Sequence, residues 1–109
     1  MNNVIPSSRL LSLATQYGLP LFVYDADTIS RQINILKETF AVPSLEIRYA
    51  SKAQNTIGIL KHIYEQGCGI DTVSPGEIVM ARKAGIPPSK ISFTPSGVMY
   101  DEYAFALEH

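Results

Sequence analysis

The chain has 109 residues, with nine basic and ten acidic side chains and a formal net charge of −1. Hydrophobic residues make up 46% and charged residues 17%, which excludes an intrinsically disordered chain and suits one soluble globular domain. The near-neutral charge without a basic block excludes the signature of a nucleic-acid-binding protein, and no apolar run approaches the roughly 18 residues of a membrane helix. Cys68 is the single cysteine, and positions 1–6 lack signal-peptide features, so we expect a cytoplasmic protein.

Short β-type runs alternate with helical patterns along the chain. The predicted strands cover residues 20–24, 46–51, 68–73 and 91–94, and helices are predicted before, between and after them. The predicted helix caps are Ser7 or Ser8, Asp25, Asn55 and Ser74, and the predicted helix ends are Gly18, Gly67 and Gly85. The last helix is predicted over residues 100–107.

The strongest local signal is a capping box at the start of the fourth predicted helix. Ser74 supplies the cap, Pro75 occupies the first helical position, and Glu77 stands at the third. We therefore expect Ser74 and Glu77 to serve the helix terminus, and assign neither a catalytic role.

The spacing of the strands predicts the architecture. They begin near positions 20, 46, 68 and 91, so each interval has room for one strand and one helix. Repeated βα units form parallel sheets with right-handed crossovers, in either a doubly wound sheet or a closed (β/α)8 barrel. Residues 24–27 lack the glycine-rich fingerprint of a dinucleotide fold, so the barrel is favoured. Four units predict the N-terminal half of an eight-unit TIM barrel.

Two charged residues follow neighbouring strands at equal distances from the next predicted helix cap. Lys52 stands three residues before Asn55, and Asp71 stands three residues before Ser74. Equal offsets place both side chains at the same height, where paired strands lie about 4.8 Å apart. Functional groups collect at the carboxyl ends of barrel strands, and at this distance the two side chains could interact at the barrel mouth.

Alternation along the second predicted strand divides its side chains between two faces. The apolar set is expected to face the helices and the other set the barrel interior. The interior set is Arg48, Ala50 and Lys52, and the helix-facing set is Ile47, Tyr49 and Ser51.

A lysine at the mouth of a barrel can form a Schiff base with the carbonyl group of a substrate or cofactor once its amine is neutral. The alternative for Lys52 is a strand-end lysine that extends into water and has no chemical role. Asp71, taken alone, is compatible with a solvated loop carboxylate.

Four segments carry motifs of one enzyme family. Residues 49–54 read Tyr-Ala-Ser-Lys-Ala-Gln, and residues 69–77 read Gly-Ile-Asp-Thr-Val-Ser-Pro-Gly-Glu. Residues 17–25 read Tyr-Gly-Leu-Pro-Leu-Phe-Val-Tyr-Asp, and residues 84–91 read Ala-Gly-Ile-Pro-Pro-Ser-Lys-Ile. In this order and spacing they resemble the fold-type III decarboxylases that use pyridoxal phosphate, whose barrel is of the alanine-racemase type.

The resemblance implies roles for three residues. The matching lysine, Lys52, binds pyridoxal phosphate covalently; the matching aspartate, Asp71, lies beside the lysine and cofactor; and Ala50 packs near the cofactor ring. The activity it implies is decarboxylation of meso-diaminopimelate to L-lysine and carbon dioxide, in a cytoplasmic homodimer. Decarboxylation of ornithine, arginine or carboxynorspermidine, alanine racemisation, and a non-catalytic pyridoxal-phosphate-binding barrel are the alternatives.

The chain departs from the family pattern at two positions. Gln54 replaces the usual asparagine, and Val98 stands where a lysine is common. The family's phosphate-binding glycine-rich loop, the acidic partner of its pyridine nitrogen and its ring-stacking histidine come from later units that this chain lacks. Residues 107–109, Leu-Glu-His, match a cloning scar with the start of a histidine tag, which leaves residues 1–106 as the truncated barrel. We expect such a half-barrel to be inactive and, because its sheet edges are open, to self-associate.

The other candidate residues have structural interpretations. Cys68 is expected to be a small core residue, and His62 an exposed helical residue without a metal partner. Tyr24 and Thr94 end predicted strands, where they would either line the mouth or pack in the rim.

Overall fold

The computed structural model describes residues 5–109, so positions 1–4, which belong to the segment predicted to lack signal-peptide features, lie outside the described residues. The helices are α1 Ser7–Tyr17, α2 Ala26–Thr39, α3 Ile57–Glu65, α4 Pro75–Lys83 and α5 Tyr100–Glu108. The strands are β1 Arg48–Ala50, β2 Gly69–Thr72 and β3 Ile91–Phe93, and single 3₁₀ turns span Ser51–Ala53 and Pro88–Lys90. Within residues 5–109, no helix combines the length and the apolar character needed to cross a bilayer.

The three strands form one parallel sheet in chain order, with β2 in the centre. Ile70 of β2 is aligned with Tyr49 of β1 on one side and with Ile91 of β3 on the other. Helices α3 and α4 connect successive strands, and both pack on β2. The predicted α/β chain of parallel βα units is therefore confirmed for the units that contain these strands.

The core lies between the sheet and the connecting helices. Leu60, Ile70, Ala81 and Ile86 are fully buried, and Ile63 is nearly so. Burying a leucine or isoleucine side chain stabilises a fold by about 1.5–3 kcal/mol. The buried leucine and isoleucines therefore account for much of the packing between the sheet and the helices.

The first predicted strand is absent. Residues 20–24 contain no strand, and Phe22 in their centre is 84% exposed. A strand needs a neighbour for its backbone hydrogen bonds, and no strand of the described chain lies alongside this segment. The apolar and aromatic composition of the segment was insufficient evidence for a strand.

Two of the four predicted helix caps are confirmed. The Asp25 carboxylate accepts a hydrogen bond from the Asp27 amide at 3.1 Å, and the Ser74 hydroxyl accepts one from the Glu77 amide at 3.3 Å. The other two predictions are wrong because the helices begin one position away. Pro6 caps α1 and Thr56 caps α3, neither with a side-chain hydrogen bond.

The three predicted glycine positions are confirmed as the points where the chain leaves a helix. Gly18, Gly67 and Gly85 have φ of 81°, 83° and 84°, a left-handed conformation that is costly for other residues. At the far end, α5 continues through position 108, and a cloning scar at 107–109 stays a prediction.

Candidate functional site at the carboxyl ends of the strands

The sheet has one covered face and one open face. In β1, Tyr49 is half-buried and packs against the core, whereas Arg48 and Ala50 are exposed on the opposite side. The predicted assignment of side chains to the two faces of the strand is therefore confirmed for residues 48–50. In β2, Ile70 belongs to the covered face and Asp71 to the open one, since successive side chains point to opposite faces.

The register contradicts the predicted equal heights of Lys52 and Asp71. Asp71 is aligned with Ala50, so Lys52 lies two residues further along the chain. The offset was counted from Asn55, whereas helix α3 is capped by Thr56 and a 3₁₀ turn separates it from β1. Lys52 belongs to that turn, directly beyond the end of the strand.

The carboxylate of Asp71 is bound by two hydroxyl groups from the region of β3. Ser92 donates to Asp71 Oδ1 at 2.6 Å, and Thr94 Oγ1 lies 3.0 Å and 2.9 Å from the two carboxylate oxygens. Within residues 5–109, no hydrogen bond or salt bridge joins Asp71 to Lys52, so the predicted direct interaction is not observed. The two hydroxyls fix the direction of a carboxylate that is only half-buried.

Ser92 is a residue that the sequence interpretation missed. It lies between Ile91 and Phe93 on β3 and is aligned with Asp71. The alternation of one polar residue between two apolar ones was a sufficient signal to place it on the open face. Thr94, one of the candidates for the mouth, reaches the site through its bond to Asp71.

The segment after Lys52 is held by Gln54, one of the departures from the family pattern. Its amide nitrogen donates to the Tyr24 hydroxyl at 2.6 Å, and its side-chain oxygen accepts from the Thr56 amide at 3.0 Å. Tyr49 donates its phenolic proton to the Gln54 carbonyl at 3.2 Å, and burial raises the pKa of that phenol. Tyr24 therefore belongs to the surroundings of the site although it is not on a strand.

Two further candidates lie away from this edge. Cys68 is 1% exposed, and burial raises the pKa of its thiol, which agrees with the predicted core role. His62 is half-buried, not exposed as predicted: its Nε2 lies 2.9 Å from the Ser30 hydroxyl and 3.2 Å from the Ala26 carbonyl. In the described part of the chain, no group of three potential metal ligands comes together.

The donor set at the strand ends fits a carbonyl-bearing cofactor. Lys52 supplies an exposed primary amine, which forms no hydrogen bond or ion pair with the residues in 5–109. Ala50 presents only a methyl group on the open face, and Asp71, aligned with it on β2, adds a carboxylate oriented by two hydroxyl groups. A lysine amine is the group that forms a Schiff base with an aldehyde.

Comparison with known proteins shows the family of the chain. Residues 26–109 match the family described as "pyridoxal-dependent decarboxylase, pyridoxal binding domain". Diaminopimelate decarboxylase of Methanothermobacter thermautotrophicus is 36% identical over 107 residues, which are 96% of this chain and 25% of that protein. The chain thus spans about a quarter of the length of the curated relatives it matches.

Solved structures give the same result at the level of the fold. Diaminopimelate decarboxylase from Helicobacter pylori, complexed with L-lysine, superimposes with a TM-score of 0.82 at 35% identity, over 91% of this chain and 25% of that one. Lysine/ornithine decarboxylase from Vibrio vulnificus, complexed with putrescine, gives a TM-score of 0.85 at 23% identity, over 96% and 29%. The second likeness concerns the fold alone. The chain therefore has the fold of the N-terminal part of the TIM-barrel domain in these enzymes, as the sequence predicted.

Proposed function

The chain belongs to the pyridoxal-dependent decarboxylase family, and from this premise we propose that it forms the start of the barrel in an enzyme that converts meso-diaminopimelate to L-lysine and carbon dioxide. The observation that carries the proposal is the position of Lys52, exposed directly beyond β1, beside a strand whose Asp71 carboxylate is already oriented. The cofactor is pyridoxal 5′-phosphate, as the family implies.

Each of three residues has a defined task in this proposal. Lys52 would hold the cofactor through its amine. Ala50 offers a small apolar surface to one side of the ring. Asp71, whose orientation is fixed by Ser92 and Thr94, supplies negative charge next to the amine and the ring. When bound, the cofactor supplies an electron sink for the electrons left by the departing carbon dioxide.

The choice of substrate rests on the names of the relatives. Diaminopimelate decarboxylases from an archaeon and from Escherichia coli match at 36% and 44% identity. The likeness to the Vibrio vulnificus lysine/ornithine decarboxylase, at 23% identity, concerns the fold and gives no support for its substrates. We place the enzyme in the cytoplasm and expect it to act as a homodimer, as the family resemblance implies.

The proposal is tested with the full-length protein that carries these residues. Loaded with pyridoxal phosphate, it is expected to release carbon dioxide and L-lysine from meso-diaminopimelate, and Lys52→Arg is expected to lower the rate by about three orders of magnitude or more. Ornithine, arginine and carboxynorspermidine are assayed in parallel, together with racemisation of alanine. Faster turnover of any of these would replace the proposed substrate, and turnover of none, with cofactor bound, would favour a binding protein.

A further inference from the structure

Glu77 has a carboxylate whose hydrogen bonds extend beyond its own helix. The predicted capping box accounts for the bond from the Glu77 amide to the Ser74 hydroxyl. In a complete box the Glu77 side chain would accept from the cap residue's own amide. Instead, its Oε2 accepts from the Val73 amide at 2.9 Å and from the Ser51 hydroxyl at 2.7 Å.

Ser51 links this carboxylate to the proposed cofactor lysine. It is fully buried, immediately precedes Lys52, and is the first residue of the 3₁₀ turn that carries the lysine. Its Oγ also lies 2.9 Å from the Asp71 carbonyl oxygen. A hydroxyl has one proton, and the shorter contact with a carboxylate favours Glu77 as the acceptor.

The Glu77 carboxylate is buried, so water cannot readily replace it as a hydrogen-bond acceptor. Glu77 is 8% exposed, and within residues 5–109 no buried side-chain polar atom lacks a partner. Removal of the carboxylate would leave the Val73 amide without its acceptor in a place that water reaches poorly, and the Ser51 hydroxyl would keep only the Asp71 carbonyl oxygen as an acceptor. The 3₁₀ turn at Ser51 would then no longer be joined to helix α4 through this carboxylate.

We propose that Glu77 is a positioning residue for Lys52: through Ser51 it fixes the 3₁₀ turn at the end of β1 and so holds the lysine amine where the cofactor aldehyde meets it. This inference rests on the proposed function, since it requires Lys52 to be the cofactor lysine. Through this bond helix α4 acts on a turn that belongs to the neighbouring βα unit.

The arrangement predicts which replacement preserves the role. One oxygen, Oε2, accepts both hydrogen bonds, so the single carbonyl oxygen of a glutamine can replace it. Leucine has a similar size but offers no acceptor. Ser51→Ala removes the donor that leads to Lys52 and leaves the Val73 bond intact.

The experiment measures the dissociation constant of pyridoxal phosphate in the full-length protein, together with the melting temperature of each cofactor-free variant. Glu77→Leu and Ser51→Ala are expected to weaken cofactor binding by about tenfold or more, the size expected when a buried bond to a charged acceptor is lost. Glu77→Gln is expected to stay within about twofold of the wild type. Ser74→Ala is the matched control, since it removes a cap from the same helix: its melting temperature falls and its dissociation constant is unchanged.

The outcomes separate this inference from the proposed function. If wild-type protein binds the cofactor at Lys52 but the two variants bind it equally well, Glu77 has a structural role only and the inference is overturned. Equal weakening in Ser74→Ala overturns it as well, since general loss of the helix would then suffice. If the wild type binds the cofactor through another residue, the proposed function itself fails. Should Glu77→Leu not fold, Ser51→Ala against Ser74→Ala decides the matter.

Discussion

The middle of the chain and its N-terminal part contain similar apolar residues, but only the middle buries them. Leu60 and Ile70, in α3 and β2, are fully buried, whereas Leu11 in α1 is 69% exposed and Phe22 is 84% exposed. The difference is the presence of a second layer: α3 and α4 cover the sheet, while α1 and residues 20–24 have no sheet beneath them. Apolar periodicity therefore predicts which residues seek burial, and the neighbouring elements decide whether they achieve it.

The largest expected effect concerns the state of association of the 109-residue chain. β1 and β3 each have one unpaired edge in the described sheet, and Phe22 adds exposed apolar surface. Open edges and apolar patches favour pairing between copies. Light scattering is expected to give a mass that rises with concentration to at least twice 12.0 kDa. Phe22→Lys should reduce it, and a monodisperse monomer over the whole range would contradict the prediction.

The packing contrast is measured by two side-chain truncations in the same chain, at one concentration low enough for the chain to be monomeric. Ile70→Ala is expected to lower the free energy of unfolding by about 2–5 kcal/mol, because it opens a cavity in the core. Phe22→Ala is expected to change it by less than about 0.5 kcal/mol, because the ring contributes little burial. Urea denaturation followed by circular dichroism gives both values. Equal losses would show that residues 20–24 are packed.

Helix caps give a smaller contrast between the same regions. Ser74→Ala is expected to cost about 1 kcal/mol of unfolding free energy, because its hydroxyl caps α4. Ser7→Ala is the matched control, since no side-chain hydrogen bond caps α1, and it should have almost no effect. A comparable loss in both variants, again by urea denaturation, would contradict the assigned caps.

The smallest expected effect lies at the junction of the two regions and depends on pH. The hydrogen bond from Thr28 is the main cause that holds the pKa of Asp25 below its usual value of 3.8. A lowered pKa in the folded state stabilises the chain above pH 3.8, and this contribution disappears as the pH falls through the folded pKa.

The variant Asp25→Asn keeps a capping side chain but cannot titrate. Its melting temperature is therefore expected to lie below that of the wild type at pH 6, and the difference should vanish in acid. Thermal unfolding scans of the wild type and the variant, at pH values from 6 into acid, measure the difference between their melting temperatures. A gap that persists or grows at low pH would mean that the carboxylate charge is not its cause.

Local signals predicted most of the fold. Asp25, Ser74 and the three helix-ending glycines act within a few residues of themselves, so their neighbours in sequence were enough to assign them. The segment 20–24 was misassigned because a strand depends on a partner that sequence proximity does not supply. Asn55 was misassigned because Thr56 beside it also permits the extended conformation from which a helix begins.

The site was predicted less completely than the fold. Lys52, Ala50 and Asp71 lie at the carboxyl end of the sheet, but the equal height predicted for Lys52 and Asp71 was wrong because it was measured from a helix cap and not from the strand ends. Alternation on β3 could have revealed Ser92. The bond between Ser51 and Glu77 joins residues 26 positions apart, and only the packing of α4 against the turn brings them together.

The central claim is that the amine at position 52 carries the cofactor. Borohydride reduction of the full-length protein loaded with pyridoxal phosphate, followed by peptide mapping, tests it directly because reduction makes the lysine–cofactor bond permanent. The account predicts a single labelled peptide with the pyridoxyl group on Lys52. A label on another lysine, such as Lys61 or Lys90, would contradict it.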